Sequence, residues 1–161
     1  MKMLQGYAHV YGDHIDTDRI IAGKYTKTLA LERLAAHVLE DLDPSFVQKL
    51  RPGDFLVAGE NFGCGSSREQ APLALLHSGV AAVVATSFSR LFFRNAINVG
   101  LPIFEIGAHK IKNGNKIMID LKNSTVYDHT DDRKYQLEAL PPLVEAICKN
   151  GGLIGYLSRC G

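Results

Sequence analysis

The stretch of sequence that decides the fold is Gly59-Glu60-Asn61-Phe62-Gly63-Cys64-Gly65-Ser66-Ser67-Arg68-Glu69-Gln70, and we call residues 59–69 the serine loop. An apolar run, residues 55–58, precedes it, and a periodic apolar segment that begins near Pro72 follows it. A buried run that ends at glycine, with small residues and then a helical periodicity beyond it, is typical of a strand, a turn and a helix. The sequence therefore predicts a glycine-rich turn between a strand and a helix.

The residues of the serine loop favour an anion as its ligand. Gly63 and Gly65 permit a left-handed backbone or the close approach of a ligand. Either Ser66 or Ser67 is predicted to cap the helix, whose free N–H groups would then face the turn beside Arg68. The spacing does not match a phosphate-binding loop or a dinucleotide-binding turn. Two hydroxyls and a guanidinium suit a carboxylate, and the alternative is a capped helix with a surface arginine.

Composition narrows the class of protein. The chain has 161 residues, 46% of them hydrophobic and 22% charged, which predicts one folded domain over residues 1–161. Its formal charge of +1 gives no electrostatic reason to expect nucleic acid or an anionic membrane as a partner. No run approaches the roughly 20 apolar residues that span a bilayer, and the N-terminus lacks the apolar core of a signal peptide. We therefore expect a cytoplasmic protein.

The cysteines argue against a metal centre on this chain. Cys64, Cys148 and Cys160 are odd in number and lack the two-residue spacing of zinc sites. Three scattered thiols are also poor candidates for an iron–sulfur cluster. We predict no disulfide framework, no zinc and no cluster.

The pattern along the chain predicts an α/β fold. Three apolar strands alternate with two helices in the middle of the sequence, so parallel, right-handed crossovers would place the serine loop at the carboxyl edge of a sheet. An antiparallel region follows, so we expect a β-barrel-like portion packed with a βαβαβ layer. The predicted strands are residues 4–11, 55–58, 80–85, 101–104, 116–121, 125–129 and 134–137. The predicted helices are about 29–39, 44–50, 89–99 and 141–148, and one that runs from the serine loop to about residue 77.

Three motifs resemble those of a known family. The first motif is the serine loop. The second, which we call the aspartate segment, covers residues 12–19 and is followed by Ile20 and Ile21. The third covers residues 87–102 and contains Ser87-Phe88-Ser89-Arg90-Leu91-Phe92-Phe93-Arg94-Asn95-Ala96. In this order and spacing they resemble the aconitase superfamily, most closely the small subunits of 3-isopropylmalate dehydratases and homoaconitases. The resemblance covers nearly the whole chain and implies a swivelling β/β/α domain.

The resemblance also implies a function. Such subunits belong to two-subunit hydro-lyases that isomerise 2-isopropylmalate and 3-isopropylmalate by dehydration and rehydration in leucine biosynthesis. A [4Fe–4S] cluster is held by the large subunit in this family. We therefore expect the chain to need that partner for activity and to carry no cluster itself. The substrate would be a small dicarboxylate or tricarboxylate hydroxy acid.

The motif positions imply roles for individual residues. Ser66 matches the catalytic base, which acts as an alkoxide, while Ser67 and Arg68 match residues that hold substrate carboxylates. Asp18 matches an aspartate near the substrate pocket, for which we expect an orienting role. A metal-ligand role for the aspartates of the segment is the weaker alternative to backbone hydrogen bonds and a pair with Arg19.

The presence of a lysine at position 27 does not decide which substrate the protein accepts. The resemblance implies that residues 25–28, which we call the Lys27 loop, read the far end of the substrate. Homoaconitase-like subunits present an arginine there and isopropylmalate enzymes an apolar residue, so Lys27 is either a weaker carboxylate partner or a solvated lysine. A homoaconitase-like or 2,3-dimethylmalate dehydratase small subunit is therefore an alternative, as is a stand-alone carboxylate-binding module. We expect the apolar tail, residues 153–157, to dock on the body or on another subunit. A homo-oligomer is a separate expectation for the isolated chain.

Overall fold

The computed structural model describes residues 3–27, 30–139 and 142–160. Its strands are β1 (Met3–Val10), β2 (Phe55–Ala58), β3 (Ala82–Ala85), β4 (Ile103–Glu105), β5 (Lys116–Asp120), β6 (Thr125–Asp128) and β7 (Arg133–Gln136). Its α-helices are α1 (Thr17–Ile20), α2 (Leu31–Ala36), α3 (Phe46–Lys49), α4 (Gln70–Ser78), α5 (Arg90–Val99), α6 (Pro142–Lys149) and α7 (Leu153–Cys160), and a short 3₁₀ helix covers Gly23–Tyr25.

The seven strands of the described residues form one sheet in the order β4-β3-β2-β1-β5-β6-β7. β1 pairs in parallel with β2, with Ala8 opposite Phe55, and antiparallel with β5, with Gly6 opposite Ile117. The strands from β1 to β4 are parallel, and those from β5 to β7 are antiparallel. This division confirms the predicted α/β fold, because the βαβαβ layer and the antiparallel β region meet at β1.

The parallel half of the sheet is covered on both faces. Along β2, Phe55 and Val57 join a hydrophobic cluster with Ile117 and other residues of the antiparallel half. Leu56 and its neighbour Ala58 instead join a cluster with the helices. Every residue of β2 is therefore buried, which explains why this strand reads as a continuous apolar run rather than an alternating one.

The helices predicted near α3, α5 and α6 are present, whereas α1 and α7 lie outside the predicted helices. α5 begins after Ser89, whose Oγ accepts a hydrogen bond from the Phe92 amide at 3.2 Å, and it ends at Gly100 with φ of 86°. The helix predicted over residues 29–39 is shorter and ends at Ala36, because His37 leaves the helical conformation with φ of −115° and ψ of 10°. Leu39 beyond it has a left-handed φ of 59°, which a continuing helix would not accommodate. Residues 28 and 29 lie outside the described residues.

The C-terminal helix has two kinds of apolar side chain. Leu153 packs against the main core, whereas Ile154 is 82% exposed and Leu157 is 56% exposed. The predicted docking of the tail on the body is therefore present at Leu153, and an apolar face is left at the surface. Each helix within the described ranges is too short or too polar to span a bilayer.

Candidate active site

Three connections meet at the carboxyl edge of the parallel strands. The aspartate segment follows β1, the serine loop follows β2, and residues 86–89 lead from β3 into α5. Two isolated bridges join them, Asp16 with Cys64 and Phe62 with Phe88. The predicted position of the serine loop at this edge is confirmed, and the loop lies between the other two connections.

The aspartate segment fixes one side of the serine loop through the backbone. The Gly63 amide donates to the carbonyl of Ile15 at 2.7 Å, and the Thr17 amide donates to the carbonyl of Cys64 at 2.9 Å. The buried Thr17 hydroxyl also donates to the Ser66 carbonyl at 2.8 Å. These bonds hold the backbone of the serine loop immediately before its two serine hydroxyls.

Helix α5 fixes the other side. A Cβ atom at Gly63, which has φ of 82°, would lie 2.2 Å from Cγ of Phe92, so the helix packs directly on the backbone of the loop. The Ser89 hydroxyl donates to the Gly63 carbonyl at 2.9 Å. Further along the same helix, Nδ2 of Asn95 donates to Oγ of Ser67 at 3.2 Å.

The predicted capping role of Ser66 or Ser67 is wrong. Helix α4 begins at Gln70, with Glu69 at the N-cap position and no side-chain cap. The reason is tertiary, because the Asp16–Cys64 bridge and the bond to the Ser66 carbonyl hold the chain outside a helix there. Both serines are exposed at the surface, so their hydroxyls are available to a ligand.

Arg68 and Asp18 form the charged part of the site. Nη1 of Arg68 lies 2.6 Å from Oδ1 of Asp18, and it is 3.5 Å from the carbonyl of Ile21. The Arg68 side chain is 24% exposed, and Asp18 is 65% exposed. A Cβ atom on Gly23 would lie 3.4 Å from Nη1 of Arg68, so the guanidinium passes close over this backbone. Asp18 therefore fixes one nitrogen of Arg68 and limits the directions in which the guanidinium points.

The structure places Lys27 beside the site without a contact to it. The side chain is exposed and forms no ion pair with any residue of the described ranges. The Lys27 loop itself reaches the start of α4, because Nε2 of Gln70 donates to the Thr26 carbonyl at 3.3 Å. Ser66, Ser67, Arg68 and Asp18 are thus brought together, and Lys27 is not brought into contact with them. Residue 28 of the loop lies outside the described residues.

Two residues of the site received no role from the sequence. Thr17 and Asn95 both lie within the motifs that carry the family resemblance, but neither type of residue has a chemistry that identifies it in isolation. Their roles depend on partners 49 and 28 residues away along the chain. Only the tertiary structure connects them to the serines.

The described residues contain no group of three or more side chains suited to a metal ion. Cys64 is half-buried and unpaired, and the side chains of Cys148 and Cys160 lie outside the described part of the structure. A single described thiol does not fit a [4Fe–4S] cluster, which takes several cysteine ligands.

The fold and the serine loop define a domain of the aconitase class, and the Aconitase C-terminal domain family matches residues 39–106. The 3-isopropylmalate dehydratase small subunit of Aliarcobacter butzleri is 48% identical over 97% of this chain and 95% of its own length. Small subunit 1 of Archaeoglobus fulgidus is 47% identical over 94% of each chain. The crystal structure of 3-isopropylmalate dehydratase from Methanocaldococcus jannaschii matches with a TM-score of 0.95 and 42% identity, covering 99% of this chain and 95% of that one. The chain belongs to the family of 3-isopropylmalate dehydratase small subunits.

Proposed function

We propose that this chain, as a single swivel domain, is the small subunit of a hydro-lyase that interconverts 2-isopropylmalate and 3-isopropylmalate in leucine biosynthesis. The family supports the reaction and the need for a large subunit. The arrangement of side chains at the serine loop supports the roles that we assign to individual residues. Two exposed hydroxyls, Ser66 and Ser67, adjoin a guanidinium that Asp18 holds at 2.6 Å.

Ser66 is the proposed base. Dehydration breaks a C–H bond beside a carboxylate, and the proton passes to Oγ of Ser66, which acts as an alkoxide. The electron pair of that bond forms the C=C double bond, while hydroxide leaves the neighbouring carbon. Rehydration adds water with its hydroxyl on the other carbon and returns the proton, which completes the isomerisation.

A serine alkoxide needs stabilisation, because a serine hydroxyl is a poor base in water. The positive charge of Arg68 is the stabilising group that the site offers within the serine loop. Covering the site would exclude water and strengthen that interaction, since electrostatic stabilisation is larger in a site of low dielectric. Covering of the loop by a second surface would therefore make Ser66 a stronger base.

Ser67 and Arg68 are the proposed carboxylate ligands. A guanidinium presents several N–H donors in a fork that matches a carboxylate, and a hydroxyl adds a single donor beside it. Asp18 leaves part of this fork free, because the described contacts occupy Nη1. A carboxylate that faced an anionic substrate directly would repel it. We therefore assign Asp18 the role of orienting Arg68.

The large subunit is the proposed partner that covers the serine loop. In the complex a [4Fe–4S] cluster on that subunit supplies the Lewis acid chemistry for the departing hydroxyl, and this assignment rests on the family. The exposed apolar side chains of α7 offer a surface for subunit contact, and self-association of the isolated chain is the alternative use of this face. An enzyme that acts on soluble hydroxy acids is expected in the cytoplasm.

Lys27 motivates the second candidate function. If its ammonium reaches the far end of a longer substrate, the enzyme would act on a tricarboxylate, as a homoaconitase-like subunit does, and 2,3-dimethylmalate is a further candidate substrate. The exposed position of Lys27 beside the start of α4 is compatible with such a contact. A stand-alone carboxylate-binding module is the remaining alternative, but such a module has no use for a base at Ser66.

The proposed function is tested by Ser66→Ala in the complex reconstituted with the large subunit of the same organism. We expect kcat to fall by about 10²–10⁴-fold, because a catalytic base is removed. The complex should still assemble, since a single exposed hydroxyl contributes little to stability. Ser78→Ala is the matched control, because the Ser78 hydroxyl donates to the Leu75 carbonyl at the end of α4 that lies away from the serine loop. Turnover of Ser66→Ala close to that of wild type would show that another group takes the proton.

A further inference from the structure

We propose that Asn95 is a positioning residue that turns the hydroxyl proton of Ser67 toward the substrate carboxylate. The inference rests on the proposed role of Ser67 as a carboxylate ligand. It adds a function for Asn95 within residues 87–96, where contacts with the serine loop are also made by Ser87, Phe88, Ser89 and Phe92.

The hydrogen-bonding capacity of the two side chains sets the direction. A serine hydroxyl has one proton and two acceptor lone pairs, whereas an amide nitrogen only donates. Because Nδ2 of Asn95 donates to Oγ of Ser67 at 3.2 Å, the Ser67 hydroxyl acts as an acceptor in this bond. Its own proton is then free to be donated elsewhere.

The surroundings of Ser67 leave a ligand as the acceptor for that proton. Ser67 is exposed, and Asn95 is its hydrogen-bond partner within the described residues. Arg68, the next residue, brings positive charge to the same place. A carboxylate in the site would therefore meet a hydroxyl that already points its proton outward and whose donor strength is raised by the bond from the amide.

The position of Asn95 is rigid, which a positioning role requires. Phe92 and Ala96 on either side of it in α5 are buried, and the helix is fixed at both ends by Ser89 and Gly100. The amide therefore approaches Ser67 from a fixed element rather than from a mobile loop.

The test uses the reconstituted complex with 3-isopropylmalate as the substrate. We expect Asn95→Ala to raise KM by about three- to tenfold, the loss expected for one weakened hydrogen bond, with kcat within about twofold of wild type. Asn95→Asp keeps the shape but offers only acceptors, so it should draw the Ser67 proton away from the ligand and repel the carboxylate. We expect it to raise KM more than Asn95→Ala does.

A double-mutant cycle separates this role from a structural one. If Asn95 acts through Ser67, Asn95→Ala should have no further effect on KM in a Ser67→Ala background. Asn98→Ala is the matched control, because Asn98 is a half-buried residue of α5 that lines a cleft with Ile97 and Glu105. Its KM should equal that of wild type.

Three outcomes would overturn the inference. Additive effects of Asn95→Ala and Ser67→Ala would show that the two residues act independently. A wild-type KM for Asn95→Asp would show that the amide does not need to donate. An unchanged KM for Ser67→Ala would remove the carboxylate contact on which the inference rests, and it would leave the separate test of Ser66 unaffected.

Discussion

At the scale of single residues, the serine loop divides its tasks among adjacent positions. Thr17 fixes the carbonyl of Ser66, whose hydroxyl has no partner among the described residues, whereas the hydroxyl of Ser67 is bound by Asn95. Arg68 is fixed by Asp18. Each of the three consecutive residues is therefore held by a different neighbour, and a substitution at one neighbour should affect one task.

Lys27→Leu tests which substrate the site accepts. For an isopropylmalate enzyme, we expect the ratio of kcat/KM on homocitrate to that on 3-isopropylmalate to change by less than about twofold, because an exposed lysine–carboxylate pair contributes little. Both values are measured on the reconstituted complex. Lys24→Leu, another exposed lysine beside the loop, is the control. A selective loss of about fivefold or more on homocitrate would favour the homoaconitase-like alternative instead.

At the scale of elements, the sequence predicted α5 well and the start of α4 poorly. The Ser89 hydroxyl caps the start of α5, and Gly100 ends the helix with backbone bonds to its last turn. Both are visible in the sequence as a cap and a terminating glycine. The start of α4 is decided by Thr17, which is far away along the chain and takes the carbonyl of Ser66. Local patterns identified the residues of the loop, but long-range bonds set its conformation and its neighbours.

Gly63→Ala tests the packing of α5 on the serine loop. Alanine at a φ of 82° is strained, and its Cβ would overlap Phe92. We expect a loss of about 2–4 kcal/mol in the free energy of unfolding and a fall in Tm of about 5–15 °C. Thermal unfolding followed by circular dichroism measures the change.

Gly12→Ala provides the control for that experiment. A Cβ on Gly12 would meet nothing within 4 Å, so its Tm should remain within about 2 °C of wild type. If the two substitutions lowered Tm equally, the contact between Gly63 and α5 would not be the cause.

At the scale of the whole molecule, Asp43 connects the end of β1 to the layer of helices. Its carboxylate accepts hydrogen bonds from the Ser45 hydroxyl at 2.7 Å and from the Tyr11 hydroxyl at 2.7 Å. The bond from Ser45, followed by that from Tyr11, lowers the pKa of Asp43 from 3.8 to about 2. The ionised form is therefore the one that stabilises the fold.

This shift predicts how stability depends on pH. Because the pKa is lower in the folded state, the contribution of Asp43 is complete above about pH 4 and is lost as the pH falls toward 2. Asp43→Asn should therefore lower the free energy of unfolding by about 2 kcal/mol at pH 7, with the difference from wild type shrinking below pH 4. Urea unfolding at pH 7, 4 and 2.5 measures this difference in the free energy of unfolding.

The exposed neighbour Asp41 supplies the control, since Asp41→Asn should change the free energy of unfolding by less than about 0.5 kcal/mol at pH 7. A loss for Asp43→Asn that stayed constant down to pH 2.5 would mean that the carboxylate charge is not the stabilising feature.

The backbone of the serine loop is hydrogen-bonded on both sides, and this has a thermodynamic consequence. This backbone is bound by the aspartate segment and by α5 before any ligand arrives, so the conformational entropy of the loop is lost on folding. A substrate that enters the site therefore does not have to order this backbone, and more of its interaction free energy appears as affinity. The loop is preorganised, and the stability of the core is what maintains that state.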